Sequence, residues 1–240
     1  MEGKQLIIDQ GNTRCKYWLI DKESWSDVQY FEDINLSYTE LPKAKAAILS
    51  STKHVDRNTL EYLKKAFETL IVLTGETPVP FQVNYHSKNT IGPDRLANVA
   101  GIWSENLKFP QLVIDVGTCI TYDFLHPESG YLGGAISPGF RLRNQSMNDY
   151  TDKLPLVEFH PNMELIGTDT TSSLQSGIVN GLIHEILGTI ERYKERFPSL
   201  ITTITGGDTH YFDNHLKSYI FADPNLTAKG LLKILRFHAE

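Results

Sequence analysis

The chain has 240 residues, 40% of them hydrophobic and 22% charged, enough for one large or two small globular domains with a buried core. Its formal net charge of −6 argues against a protein whose main task is gripping nucleic acid, which usually presents a basic face. Two cysteines make no disulfide framework, no run reaches the ~18 apolar residues that span a bilayer, and the N-terminus lacks the apolar stretch of a signal peptide, so the expectation is a reduced, cytoplasmic protein with neither membrane nor nucleic acid as partner.

Leu6-Ile7-Ile8 is a short apolar run ending in Asp9-Gln10-Gly11-Asn12-Thr13, the pattern of a strand entering a tight turn. Cys15, Tyr17 and Leu19 alternate with Lys16, Trp18 and Ile20, which predicts a second strand and makes residues 5–20 a hairpin. Ala46 to Ser50 reads as a strand, residues 58–68 as a helix with Leu60, Leu63, Ala66 and Phe67 in register, and Leu70 to Leu73 as another strand. Pro93 opens a helix whose apolar face carries Leu96, Val99, Ala100 and Trp103. The pattern then starts again. Leu112-Val113-Ile114 runs into Asp115-Val116-Gly117-Thr118, followed by strands from Ile120 to Leu125 and from Gly130 to Ile136, the latter ended by Ser137-Pro138-Gly139. Residues 174–197 predict a long helix with Leu174, Ile178, Leu182, Ile186 and Ile190 in register. Leu200 to Ile204 is a strand closed by Thr205-Gly206-Gly207-Asp208, and residues 225–237 a last helix. Alternating strands and helices place the chain in the α/β class.

An internal repeat organises these elements. Ile7-Ile8-Asp9-Gln10-Gly11 and Val113-Ile114-Asp115-Val116-Gly117 share one pattern: strand, Asp, any residue, Gly, hydroxyl-bearing turn, strand. The repeat predicts two related halves, residues 1–108 with the first turn and residues 109–240 with the second, and a cleft between them.

Each turn suits an anion. Gly11 lets the backbone approach a ligand closely, Asn12 and Thr13 add donors, Lys16 adds positive charge, and Asp9 can hold Mg²⁺ directly or through water. A plain hairpin turn would use the same residue types for steric reasons. Asp115, Gly117 and Thr118 repeat the arrangement, and two such cups suit a triphosphate and its cations. In Gly92-Pro93-Asp94-Arg95, Asp94 falls at a helix start, as a cap or as a general base for an alcohol, with Arg95 beside it for a polar or anionic acceptor group. There is no GxxxxGK[ST], no GxGxxG after a strand and no GxSxG, and the eight histidines show no metal-ligand spacing. Cys15 and Cys119 read as small packing residues rather than nucleophiles.

The two strand–Asp–x–Gly–turn–strand units resemble the acetate and sugar kinase, heat-shock chaperone and actin superfamily. Within it, the ordered set resembles the type III pantothenate kinases: Asp9 to Thr13, Gly92 to Arg95, Asp115 to Thr118, Gly133-Gly134-Ala135-Ile136-Ser137-Pro138-Gly139, Asp169-Thr170 with Gln175-Ser176-Gly177, and Thr205-Gly206-Gly207. The resemblance implies two ribonuclease H-like halves with mixed sheets flanked by helices and an active-site cleft between them. It implies ATP-dependent phosphorylation of pantothenate, the first step toward coenzyme A, by a homodimer whose substrate sites form near the interface. By it, Asp9, Gln10, Gly11, Asn12, Thr13, Arg14, Cys15 and Lys16 bind ATP with Mg²⁺, and Thr118 contacts ATP from the second turn. Asp94 becomes the proton acceptor, and Asp115 the ligand of a monovalent cation, K⁺ or NH₄⁺. Tyr85, Gly92, Pro93, Asp94, Arg95 and Thr170 become pantothenate contacts.

Some positions depart from the family's pattern. Cys119 stands where a small alanine is usual, and the segment after Gly139, with Arg141 and Arg143, is less typical. Thr171 competes with Thr170, which is favoured by its distance to Gln175-Ser176-Gly177. Two other readings stay open: another kinase or a phosphatase on the same scaffold, and a non-catalytic module, which would lose catalytic carboxylates or carry a basic surface.

Overall fold

The computed structural model describes residues 3–161, 163–212 and 221–238. The first hairpin forms as the alternation predicts. Strands β1 (Gln5–Gln10) and β2 (Cys15–Asp21) run antiparallel, with Asp9 opposite Lys16. Two short strands, β3 (Ser24–Trp25) and β4 (Gln29–Phe31), add to the outer side of β2, and helix α1 (Ile34–Ser37) follows. Strand β5 (Ala46–Ser51) pairs parallel with β1 on its other side, helix α2 is Arg57–Ala66, and strand β6 (Thr69–Val72) pairs parallel with β5. Helix α3 (Pro93–Ile102) ends this stretch.

Both faces of β1 are covered. Leu6 and Ile8 pack with Cys15, Ala47, Leu49, Leu63 and Phe67, with Leu60 partly buried beside them, so three of the four residues expected on the apolar face of α2 close this side, while Ala66, in the last turn, is exposed. Ile7 and Ile48 are buried on the other face. Each fully buried Leu or Ile contributes about 1.5–3 kcal/mol. Helix α2 starts where the Asp56 carboxylate accepts the Thr59 N–H at 2.7 Å, and stops where Phe67 turns extended.

The second hairpin is β7 (Gln111–Val116) with β8 (Cys119–His126), extended antiparallel by β9 (Gly130–Pro138). Strand β9 runs two residues past its predicted end. Pro138 is tolerated because β9 lies at the edge of the sheet, where a missing N–H costs no ladder bond. Helices α4 (Phe140–Asp149) and α5 (Thr170–Arg196) follow, then β10 (Ile201–Thr205), parallel to β7, and the short β11 (Phe221–Ala222), parallel to β10. Leu174, Ile178, Leu182, Ile186 and Ile190 of α5 pack on Leu112, Ile114, Ile120, Tyr122 and Phe124 of the sheet. Helix α5 begins at Thr170, ahead of its apolar stripe, because Asp169 and Ser172 form a reciprocal capping box.

The two sheets share one plan. In each, the first strand lies centrally, its hairpin partner antiparallel on one side and a parallel strand on the other. The repeat in the sequence is therefore a repeat of topology. The last helix, α6 (Leu226–Phe237), packs on α3. Residues 104–224 form one compact unit, and residues up to 103 together with those from 225 onward form the other. The chain leaves its first unit for the second and returns with its final helix, whereas the repeat alone assigns that helix to the second half.

Candidate functional site

Asp9 is the penultimate residue of β1, flanked in register by Lys16 on β2 and Ser50 on β5. The turn after it is closed by the Gly11 N–H, which donates to the Arg14 carbonyl at 3.0 Å. A Cβ on Gly11 would meet only that carbonyl, at 3.5 Å, an ordinary contact, and its φ is not in the left-handed region. Neither the backbone nor the packing of this unit requires glycine here. A turn with no side chain at Gly11 leaves that space open to a group that must come close to the backbone, such as a phosphate.

Not every side chain of the segment from Asp9 to Lys16 faces that space. Gln10 is fully buried, and its Oε1 accepts the Ile34 N–H at 2.8 Å, which pins the start of α1. Its carbonyl accepts from the Thr52 N–H at 2.9 Å. Cys15 is buried in the core, its thiol pushed up to about 12 by burial, with the charges of Asp9 and Asp33 adding to the shift. Gln10 and Cys15 thus have only backbone to offer a ligand, while Asn12, Thr13 and Arg14 are exposed and Lys16 is half-buried. The Arg14 guanidinium lies 5.9 Å from the centroid of the Tyr30 ring.

Asp94 sits in the first turn of α3, one residue after Pro93. The N-cap is Gly92, and the Asp94 Oδ1 accepts the Arg95 N–H at 2.9 Å. A Cβ on Gly92 would sit 2.5 Å from Asp94 Oδ1, so glycine there makes room for the carboxylate. Burial pushes the Asp94 carboxyl above its ordinary value, against the lowering effect of the Arg95 N–H and of the Arg95 charge. The Asp94 charge also reaches Asp9. Burial first, and then the Asp94 charge, raise Asp9 to about 6, partly offset by Lys16 and Ser50. Two carboxylates far apart in the chain therefore share one electrostatic environment in the first unit. Arg95 is buried and Tyr85 half-buried.

In the second unit Asp115 is the penultimate residue of β7, beside Thr121 on β8 and Thr205 on β10. The Gly117 N–H donates to the Cys119 carbonyl at 3.0 Å, and a Cβ on Gly117 would again meet only ordinary contact. Gly206 has φ +105°, and a Cβ there would fall 2.6 Å from Asp115 Oδ1 and overlap the Val116 backbone. Only glycine fits. It lets the chain after β10 lie along the end of β7, where the Asp208 N–H donates to the Val116 carbonyl at 3.0 Å. A Cβ on Gly207 would meet nothing within 4 Å. Cys119 is half-buried. Thr170, the first residue of α5, lines a cavity of about 640 Å³ with Arg143, Met147, Leu154, Leu174 and Ile178.

Local pattern located the carboxylates and the turns. It did not find the contact between Tyr122, Arg143 and Glu185, which come from three separate elements and share no motif. Among the described residues, no group of three or more His, Cys, Asp or Glu is placed to hold a metal ion, and no helix is long and apolar enough to cross a membrane.

Comparison with known proteins identifies the family. The family model for type III pantothenate kinases matches residues 5–192. A type III pantothenate kinase of Christiangramia forsetii is 38% identical over 97% of this chain and 98% of that protein. One from Phocaeicola vulgatus is 37% identical over 97% and 98%. A crystal structure from Campylobacter jejuni, described as a Baf-family transcriptional activator, superposes with a TM-score of 0.66 at 22% identity, covering 98% of both chains, a likeness of fold. By the extent and level of this similarity, the chain belongs to the type III pantothenate kinase family.

Proposed function

We propose that this protein transfers the γ-phosphoryl group of ATP to the hydroxyl of pantothenate, with Asp94 as general base, the first step toward coenzyme A. The observation that carries the assignment of Asp94 is its placement: a half-buried carboxylate at a helix start, pushed up in pKa by burial, whose charge reaches Asp9. A raised pKa makes a carboxylate a better base near neutral pH. The alcohol oxygen bonds to the γ-phosphorus as Asp94 takes its proton. The bond to the bridging oxygen breaks, and ADP leaves. Little covalent chemistry is asked of the protein, so rate comes from positioning and charge stabilisation.

Asp9 to Lys16 is the first ATP-binding segment, through the amides around Gly11, and Thr118 is a second ATP contact. The room left at Gly11, Gly117 and Gly207 supports both. Asp9 holds Mg²⁺, directly or through water. Asp115 holds a monovalent cation, K⁺ or NH₄⁺. Both cations, when bound, offset negative charge on the phosphates. Tyr85, Gly92, Pro93, Arg95 and Thr170 contact pantothenate. The working form is a cytoplasmic homodimer. Exposed Tyr150, Leu165 and Ile166 in the second unit, 88%, 69% and 77% accessible, support association with a second copy.

ADP release by a coupled assay tests the reading. Turnover should require pantothenate and rise with potassium. Folded protein that gives none in either buffer overturns the pantothenate assignment.

The Asp9 carboxyl makes two further claims. Its role as a ligand requires ionisation, so kcat/KM should fall as the pH drops through about 6. Its folded pKa lies above the ordinary 3.8, so the stability it contributes is present below pH 4 and is lost as the pH rises through about 6. Asp9→Asn should therefore stabilise the ligand-free protein at pH 7.5 by roughly 1 kcal/mol, discounted for partial exposure, and the gain should vanish near pH 4. Urea denaturation at the two pH values measures this. An equal effect at both would contradict the titration.

A further inference from the structure

Arg143 lies in α4 one turn beyond Gly139, and its guanidinium is held on several sides. Nε donates to the Pro138 carbonyl at 2.9 Å, and Nη2 donates to Ser137 Oγ at 3.1 Å. Nη2 also pairs with Oε2 of Glu185 on α5. The other oxygen of Glu185 accepts from the Tyr122 hydroxyl of β8 at 2.9 Å. Burial works against the Glu185 charge, but bonds from Arg143, Ser137 and Tyr122 hold its carboxyl below the ordinary value. Burial and the Glu185 charge push the Tyr122 phenol up. The planar fork thus ties α5 and β8 to the end of β9. The pair is half-buried, at 21% and 30% side-chain exposure, so solvent screens it only in part.

The turn that Arg143 holds touches the second phosphate turn with no side chain in between. The Gly139 N–H donates to the Thr118 carbonyl at 3.0 Å. A Cβ on Gly139 would overlap the Gly117 carbonyl oxygen and lie 2.8 Å from that of Thr118. Backbone packed on backbone has no flexible side chain to absorb a shift, so a displacement of Pro138-Gly139 passes to Thr118 directly.

We infer that Glu185 and Arg143 are positioning residues for nucleotide, setting the Gly117-Thr118 turn through Ser137-Pro138-Gly139. The inference rests on the ATP-binding role proposed for Thr118. It accounts for Arg143 in a segment that departs from the family pattern, without requiring Arg143 to touch ATP.

Glu185→Gln keeps the shape of the side chain and an acceptor for Tyr122 while removing the charge that holds Arg143. It should weaken binding of a fluorescent ATP analogue to the pantothenate-free protein by roughly 3- to 10-fold. KM for ATP should rise in proportion and by more than KM for pantothenate, with the melting temperature falling by no more than about 2–4 °C. Arg143→Gln should match it on nucleotide affinity, Arg143→Lys should fall between, and Glu185→Gln should be non-additive with Thr118→Ala. Unchanged nucleotide affinity in both Glu185→Gln and Arg143→Gln overturns the inference. So does a parallel rise of both KM values with a falling melting temperature, which marks general loosening. Because the binding readout contains no pantothenate, a wrong acceptor leaves it intact. Wild-type protein that binds no nucleotide defeats the ATP reading itself, and the inference with it.

Discussion

Asp94→Asn is expected to lower kcat by roughly 10²–10⁴-fold with folding intact. Asparagine has the same shape and still offers an oxygen to the Arg95 N–H, so the 2.9 Å bond at the start of α3 survives. What disappears is the proton acceptor. Loss of the favourable charge at the helix start, about 0.3–1 kcal/mol, is opposed by relief of the burial that raises the Asp94 pKa. Stability should therefore change little. A second readout separates catalysis from capping. The Asp94 charge helps raise Asp9, so its removal should move the acidic limb of the residual activity below that of the wild type. Turnover near the wild-type level would strip Asp94 of its role. A lower melting temperature with normal turnover would make it a helix-start residue only.

A large loss of stability, about 2–3 kcal/mol or more, is expected at Gly230→Ala, read by urea or thermal denaturation. Helices α3 and α6 meet backbone to backbone. A Cβ on Gly230 would overlap the Ala97 carbonyl and lie 2.8 Å from the Gly101 nitrogen. From the other side, a Cβ on Gly101 would lie 2.7 Å from a Leu226 methyl. Side-chain bonds then fasten the crossing. Thr227 Oγ1 donates to Asn98 Oδ1 at 2.7 Å, and Lys233 Nζ donates to the carbonyls of Gly101 and Trp103 at 2.8 and 2.7 Å, closing the C-terminal end of α3. Burial, with Lys229 nearby, lowers the pKa of Lys233. A methyl group at Gly230 forces the helices apart and moves the helix that carries Asp94, so kcat should fall along with stability. At about 2–4 °C per kcal/mol for a chain of this size, the melting temperature should drop by roughly 5–10 °C. Gly188→Ala is the control. A Cβ there, within α5, meets nothing within 4 Å, and the change should stabilise by about 0.4–1 kcal/mol through reduced freedom of the unfolded chain. A Gly230→Ala protein as stable as the wild type would contradict the close crossing.

Both hairpins, the central strands and α5 were legible because their signals are local. Alternation over six residues or a stripe every fourth residue needs no knowledge of the rest of the chain. Helix α4 escaped because only Phe140 and Asn144 of it are buried, too few to print a period. Strands β3, β4 and β11 are two or three residues long, shorter than any pattern that could announce them. The orientation of Gln10 was hidden for a different reason. Neighbours cover both faces of β1, so its period of two does not say which side chains turn toward a ligand.

The sequence by itself determined the class, the repeat, the order of the motifs and the identity of the three candidate aspartates, because each depends on residues close together in the chain. Only the tertiary structure decided that Asp94 lies near enough to Asp9 to raise its pKa, that Gln10 and Cys15 face inward, that Glu185 grips Arg143 behind the second turn, and that α6 returns to the first unit. Those facts depend on which distant surfaces meet. That is set by close packing at places such as Gly230 and Gly139, where the absence of a side chain matters only once the partner backbone is known.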